Sequence, residues 1–357
     1  MIDRMTCTSA SFPFLPRITA AAMFALLVLG GCTRLPPMRL ETERTQPASA
    51  VIARDAGSAT IDVLTFNIEG LGWPARKGRA AQLQQIGATL AALNARGQAP
   101  DVVLVQEMFS PAAVRAIDAA GYRYRAWGPS RTQRRRRRSE TRMPGPFRWK
   151  KGEIGMHLVG SGLAVLSRYP IVAAGSEPFG SRHCAGLDCL SNKGVQHVRI
   201  RVPGVPEPVE IFNAHLNSRS AARVPAERSA AAHAMQVGDV AALIGSAASV
   251  GPVILGGDFN MRGDAGRLAR FDAALGQLTL VQRYCVVARN GCDVRVSWDG
   301  DEPWMDTEDL QLFASGRAIR ITPTRVEAMF DGAEASPHLS DHDGFRVTYR
   351  LDWGAVR

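Results

Sequence analysis

Pro252-Val253-Ile254-Leu255-Gly256-Gly257-Asp258-Phe259-Asn260 is the stretch on which the fold class turns. Its apolar half, β-branched at Val253 and Ile254, reads as a buried strand. Gly256 and Gly257 end the apolar run and let backbone approach something closely. Asp258 and Asn260, two positions apart, then face the same side of an extended turn. A carboxylate and a carboxamide therefore stand at the C-terminal end of a buried strand, where open α/β sheets keep their ligands. Gly, Asp and Asn are also ordinary turn residues, so the rest of the chain must decide between a turn and a site.

Outward from this strand the pattern repeats. Ile61 to Ile68, Asp101 to Gln106, Gly162 to Ser167, Val195 to Val202, Val209 to Ala214, Leu310 to Ala314, Ala318 to Val326 and Phe345 to Leu351 are apolar runs of strand length. Arg79 to Leu93, Ser110 to Ala120 and Ala226 to Ile244 carry helical spacing, and Ser110 is a good N-cap. Strands and helices interleave, with several strands adjacent, which predicts a mixed α/β sandwich rather than a doubly wound sheet. Polar residues recur just past the strand ends: Asn67, Glu107, His215, Asp258 with Asn260, and Asp341 with His342. A hard divalent cation takes oxygen ligands, and Mg²⁺ uses one or two carboxylates while keeping waters. Glu107 offers a carboxylate and Asn67 a carbonyl oxygen. Two histidines suit proton transfer near neutral pH. No G-x-S-x-G elbow competes.

The chain has 357 residues, 46% of them hydrophobic, and a net charge of +10. That charge is local: Arg131 to Lys151 holds ten basic residues against one acid. General nucleic-acid binding cannot be argued from the whole-chain charge. The basic run Arg134 to Arg138, with Lys150 and Lys151, reads either as a solvated loop or as a site for anionic lipid or nucleic acid. Phe147, Trp149, Trp298 and Trp304 form either a membrane-facing lip or core. Arg4 and Arg17 precede an apolar run, Ile18 to Leu29, too short to span a bilayer and of signal-peptide length. Leu29-Gly30-Gly31-Cys32 resembles the bacterial lipobox, which implies acylation of Cys32, export, and an outer-membrane lipoprotein or a secreted protein. The expected organisation is a leader over 1–31, a tether over 32–58, and one folded domain over 59–353 with a basic insert at 128–157. Cys184, Cys189, Cys285 and Cys292 form an even set in an oxidising compartment. Of three connectivities, close spacing favours Cys184–Cys189 and Cys285–Cys292; a zinc site from all four lacks the usual ligand spacing.

Six segments in order, TFNIEG, VLVQEMF, SGLAVLSRYPI, IFNAHLNS, ILGGDFNMR and SDHDGF, resemble the endonuclease/exonuclease/phosphatase superfamily. The resemblance implies a DNase I-like four-layer α/β sandwich, two mainly antiparallel sheets flanked by helices. It implies a Mg²⁺-dependent phosphodiesterase, with Mn²⁺ or Ca²⁺ as alternatives, acting as a monomer. By position, Asn67 and Glu107 resemble the metal-binding pair. His215 resembles the histidine that contacts phosphate and protonates the leaving oxygen. Asp258 and Asn260 resemble the residues that hold the attacking water and scissile phosphate. His342 resembles the general base, with Asp341 as a metal-side or orienting carboxylate. The orienting aspartate of the late strand resembles Asp309, but its spacing to Ser315 is one residue longer than the family's, which leaves Asp306 open.

Ser191-Asn192-Lys193-Gly194-Val195 resembles a signature of the neutral sphingomyelinase branch, where a lysine lies near the phosphate. Asn217 stands where that branch has glutamine, and Arg228 with Gln236 resembles its Arg…Gln pair. Lys193 and Asn217 are thereby expected to bind substrate, a phospholipid headgroup. Two other readings remain open: a secreted nuclease on DNA or RNA, and a surface binding protein without turnover. A binder needs neither histidine.

Overall fold

The computed structural model describes residues 35–41, 56–72, 75–136, 141, 143–247, 251–288, 290–295, 307–332 and 337–354. Cys32, Trp298, Trp304, Asp306 and the end of the basic run at Arg137 and Arg138 lie outside them, as does the leader. The chain divides into Met1–Cys32 and Thr33–Arg357, and every described residue belongs to the second unit.

Two sheets form the centre, with strands numbered in chain order. The first contains β1 (Gly57–Asn67), β2 (Val102–Gln106), β3 (Tyr124–Trp127), β4 (Ala164–Ser167), β10 (Asp293–Val294), β12 (Ile319–Met329) and β13 (Gly344–Trp353), in the order β10-β12-β13-β1-β2-β4-β3. The second contains β5 (Ile171–Pro178), β6 (Gly194–Ile200), β7 (Val209–His215), β8 (Val253–Asp258), β9 (Thr279–Leu280) and β11 (Asp309–Ala314), in the order β5-β6-β7-β8-β11-β9. Each sheet has a parallel pair at its centre, β1 with β2 and β7 with β8, flanked by antiparallel neighbours. Among the described residues four α-helices cover the outer faces: α1 (Arg79–Ala95), α2 (Pro111–Ala119), α3 (Ala226–Ser246) and α4 (Ala265–Leu275).

Strand alternation makes the layers. Ile61 and Val63 of β1 turn inward to meet Ile211, Ile254 and Phe313 of the other sheet. Leu64 and Phe66 turn outward, onto Leu83 and Ile86 of α1 and Val114 and Ile117 of α2. Phe212 and Leu255 turn the opposite way, onto Val237 of α3 and Phe271 of α4. Ser110 caps α2 as expected, accepting from the Ala113 N–H at 3.2 Å. A buried polar bridge joins the sheets: Gln106 Nε2 donates to Asn213 Oδ1 at 2.7 Å, and Gln311 Nε2 donates to the Val63 carbonyl at 2.9 Å.

Gly256 and Gly257 fulfil their expected role, although they approach protein rather than ligand. A Cβ on Gly256 would lie 2.5 Å from Leu104 of the facing sheet; one on Gly257, at φ +155°, would lie 2.0 Å from the Ala214 carbonyl oxygen. Gly257→Ala is expected to cost about 1–3 kcal/mol through overpacking, read as a lowered Tm; an unchanged melt would contradict this close approach.

One boundary moves. Residues 35–41 were expected to be tether, yet this segment lies against β3. Arg39 pairs with Arg125 in a β-bridge, and the Pro36 carbonyl accepts from Trp127 Nε1 at 2.7 Å. Backbone hydrogen bonding, to which prolines still contribute acceptors, makes this docking invisible to an apolar-period search.

Candidate active site

Strand register gathers the site residues. Asn67, last in β1, pairs with Gln106, last in β2, and Glu107 follows it. His215, last in β7, pairs with Asp258, last in β8, which pairs with Asp309 at the start of β11. Six elements of two sheets thus end together, since the last turn before β13 brings in His342. Glu107 and Asn260 hold positive φ, 61° and 49°, a backbone state uncommon for residues with a Cβ. Such strain persists where surrounding structure imposes it, as at functional sites.

Asp258 is the hub. Its Oδ2 accepts from Asn67 Nδ2 at 2.9 Å and lies 3.2 Å from His215 Nε2. Its Oδ1 accepts from the Asn260 N–H at 3.0 Å and from Asn260 Nδ2 at 2.9 Å. Burial pushes its carboxyl up to about 8. Three N–H donors nevertheless point at it, and such donors favour an ionised carboxylate, so the ionised form is the one this arrangement accommodates.

His342 Nδ1 donates to Asp309 Oδ2 at 2.6 Å, and Asp309 Oδ1 accepts from the Asn67 N–H at 3.1 Å. Asp309 is fully buried, and orienting His342 falls to it despite the longer spacing to Ser315. This corrects the orienting role considered for Asp341, whose side chain is half exposed and pairs with Arg76 at 3.2 Å. Asp341 Oδ1 lies 3.9 Å from His342 Nε2, close enough to act on it electrostatically. Burial opposes charge on His342, but Asp309, with Asp258 and Asp341 behind it, holds the imidazole well above its ordinary value. With Nδ1 committed to Asp309, Nε2 is left as the free basic nitrogen, 3.4 Å from Asn67 Nδ2.

His215 behaves oppositely. Burial, then Lys193 and His342, hold it well below its ordinary value. A ring whose charged form is disfavoured in this way suits contact with phosphate better than delivery of a proton. Lys193 is buried; its Nζ lies 3.0 Å from His215 Nε2, donates to the Leu216 carbonyl at 2.9 Å and pairs with Asp188 at 3.3 Å. The solvated strand end that its position in the sequence allows is excluded. Asn217 is also buried: Oδ1 accepts from the Ala185 N–H at 2.9 Å and Nδ2 donates to the Ser218 carbonyl at 2.9 Å, which fixes the amide and leaves one lone pair and one N–H over. Gln236 donates to the His183 carbonyl and accepts from the Asn217 N–H, while Arg228 reaches Glu153.

Sequence reasoning missed several supports. Arg267, 1% exposed, donates to the carbonyls of Asn217 and Asn260, both at 2.7 Å. His233 Nε2 lies 2.8 Å from the Phe259 carbonyl. Arg79 donates to the Ile68 and Leu339 carbonyls, tying the end of β1 to the turn before His342. Nothing in a helical pattern separates these arginines from surface ones. Asp188 is closer to being legible, since it lies inside the loop closed by Cys184–Cys189. Both expected disulfides are present.

Among the described residues no three acidic, imidazole or thiolate side chains converge as a closed metal site. Mg²⁺ does not require one. Glu107 sits at the edge of this cluster, its side chain 21% exposed and 4.0 Å from His215 Nε2, and burial pushes its carboxyl up, partly offset by Lys193 and His342. An acid whose charge is under-compensated, beside the Asn67 amide, fits an open site for a hard cation.

The model of the Endonuclease/Exonuclease/phosphatase family matches residues 64–329. No curated protein matches in sequence. Three solved structures illustrate the fold. Sphingomyelinase C from Streptomyces griseocarneus is 22% identical, with 81% of this chain and 99% of that one covered and a TM-score of 0.52. A double mutant of beta toxin from Staphylococcus aureus with bound magnesium ions is 16% identical, with 83% and 100% covered and a TM-score of 0.53. TDP2 from D. rerio, complexed with a single-strand DNA product, is 16% identical, with 82% and 99% covered and a TM-score of 0.53.

Proposed function

Because this chain belongs to the Endonuclease/Exonuclease/phosphatase family, whose members hydrolyse phosphodiester bonds, we propose that it is an exported, metal-dependent phosphodiesterase of phospholipid headgroups, like a sphingomyelinase C. The observation that carries the chemistry is the convergence of the Asp309–His342 pair with Asp258, Asn67, Glu107, His215 and Lys193 in one cluster.

His342 Nε2 takes the proton of the attacking water, while Asp309 holds the ring and stabilises its charge. Asp258 and Asn260 hold that water and the phosphate in line, so that the new P–O bond forms as the bond to the leaving oxygen breaks, and that oxygen takes its proton from solvent water. Lys193 and His215 face the phosphoryl oxygens, where fixed donors count most as charge develops. Glu107 and the Asn67 carbonyl oxygen would hold a divalent ion, Mg²⁺ in the first instance, with Mn²⁺ or Ca²⁺ as alternatives. When bound it supplies positive charge to the phosphoryl oxygens.

The lipid substrate is favoured by the buried Lys193, by two disulfides that suit an oxidising compartment, and by the lipobox-like Cys32. Acylation of Cys32 would keep the enzyme at a membrane. The test is a hydrolysis panel of sphingomyelin, phosphatidylcholine, a soluble phosphodiester and plasmid DNA, each with and without EDTA. Chelator-sensitive release of phosphorylated headgroup, exceeding DNA cleavage, is expected. Preference for DNA with steep salt dependence replaces this reading with a nuclease, and no turnover on any substrate replaces it with a binding protein.

A further inference from the structure

Of the seven large apolar side chains exposed among the described residues, four fall between Phe147 and Met156. Phe147 is 46% exposed, Trp149 66%, Ile154 44% and Met156 60%. Large apolar side chains exposed together in one short segment point to an interaction site more than single scattered ones do.

The segment is held out from beneath. Between its two exposed runs lies Glu153, 3% exposed. It accepts from Arg228 Nε at 2.7 Å and Nη2 at 2.5 Å, from the Arg148 N–H at 2.9 Å and from the Gly186 N–H at 3.1 Å. Arg228 Nη1 donates onward to the Pro144 carbonyl at 2.7 Å. A buried ion pair costs desolvation and is better suited to fixing one arrangement than to adding stability. Here it fixes a loop whose aromatic tips face solvent. Cations accompany both rings: Lys150 Nζ lies 5.2 Å from the centre of Trp149, and the Arg182 guanidinium 4.6 Å from that of Phe147. From Met143 to His157 the single acid is Glu153, already paired, against Arg148, Lys150 and Lys151.

We propose that this lip, Phe147 to Met156, seats the protein on an anionic phospholipid surface, its apolar tips entering the interface and its cations meeting the headgroups. The proposal rests on reading the cleft as a phospholipid phosphodiesterase and supplies the surface from which that substrate is drawn. Charge complementarity selects this occupant: apolar side chains interleaved with lysine and arginine are the composition of interfacial segments. The lip is also continuous with the site. A Cβ on Gly152 would lie 2.9 Å from the Gly186 carbonyl oxygen, and Asp188 in that same loop pairs with Lys193 at 3.3 Å.

The test uses the chain from Thr33 onward, which holds every described strand and helix and both disulfides but neither Cys32 nor the leader. Sedimentation with phosphatidylcholine vesicles, with and without phosphatidylglycerol, is measured in EDTA so that no turnover is needed. Binding to the anionic vesicles is expected. The pair Phe147→Ser and Trp149→Ser weakens it by at least about tenfold. The pair Lys150→Glu and Lys151→Glu weakens it by about thirtyfold or more, with little effect on neutral vesicles. Neither pair changes hydrolysis of a soluble phosphodiester. Unaltered vesicle binding in both variants overturns the proposal. So does tighter binding to an oligonucleotide than to vesicles, or self-association in sedimentation velocity that the aromatic variant abolishes, since the occupant would then be nucleic acid or a second copy. Vesicle binding that persists with no hydrolysis of any diester leaves the lip standing and sinks the phosphodiesterase reading instead.

Discussion

His342→Ala lowers kcat for phosphodiester hydrolysis by about 10²–10⁴-fold, the range that loss of a general base produces. Asp309→Asn acts on the same step through a different lever. The Asp309 carboxylate accepts the Nδ1 proton of His342 at 2.6 Å, which leaves Nε2 as the base. A carboxamide whose NH₂ faces Nδ1 would favour the opposite tautomer and put the proton on the wrong nitrogen. The two variants differ in their pH profiles. Burial opposes charge on His342, Asp309 outweighs it, and the folded value lies well above the ordinary one. A base must be neutral to act, so kcat/KM of the parent rises with pH through that raised value. Removing the Asp309 charge moves this acid limb to lower pH, even as the plateau falls. For stability the sign is the reverse: protonated His342 contributes below its ordinary range, and the contribution is lost as pH rises through the folded value. Profiles of kcat/KM on a soluble phosphodiester, with circular dichroism to verify folding, check this. Identical acid limbs in parent and Asp309→Asn would remove Asp309 from the mechanism.

Why Asp309 was harder to assign than Asp258 shows how far sequence reading reaches. Asp258 follows Val253 to Leu255 and two glycines, a pattern in which buried strand and polar end are both explicit. Asp309 precedes its apolar run, so the same eye sees it as loop, and only the pairing of Asp309 with Asp258 between β8 and β11 brings it to the cleft. Most strand positions were legible because their residues follow local periodicity, whereas the two-sheet architecture was legible only through the family resemblance. Arg267 and Arg79 escaped notice for another reason: their work is on backbone carbonyls, which have no residue identity to match. Phe147 and Trp149 were undecided between core and lip, since an aromatic residue beside lysine or arginine suits either. Burial alone separates the two, and burial is a property of the assembled loop.

Glu107→Gln should move activity and stability in opposite directions. Glutamine keeps the shape and one oxygen but removes the charge that would hold a divalent ion, so activity is expected to fall by at least about 10²-fold. Apparent Mg²⁺ affinity should fall with it, by about tenfold or more. The carboxyl of Glu107 is pushed up by burial, against the smaller effects of Lys193 and His342. A folded value above the unfolded one means that the acid form stabilises the protein below the ordinary carboxylate range. That stability is lost as pH rises through the folded value. Above that folded value the metal-free parent has lost this contribution, whereas the glutamine variant has nothing to lose. Metal-free Glu107→Gln is therefore expected to melt higher than the metal-free parent by a few degrees, with the gap closing as pH falls below the ordinary carboxylate value. Mg²⁺ should then raise the parent Tm and leave the variant almost unmoved, because only a ligand that prefers the folded state stabilises it. Differential scanning fluorimetry across pH, with Mg²⁺ or EDTA, reads both effects in one protein preparation. A variant that is inactive but responds to Mg²⁺ as the parent does would place the ion elsewhere. A variant that loses both activity and metal-free stability would make Glu107 a structural residue of β2's end rather than a ligand.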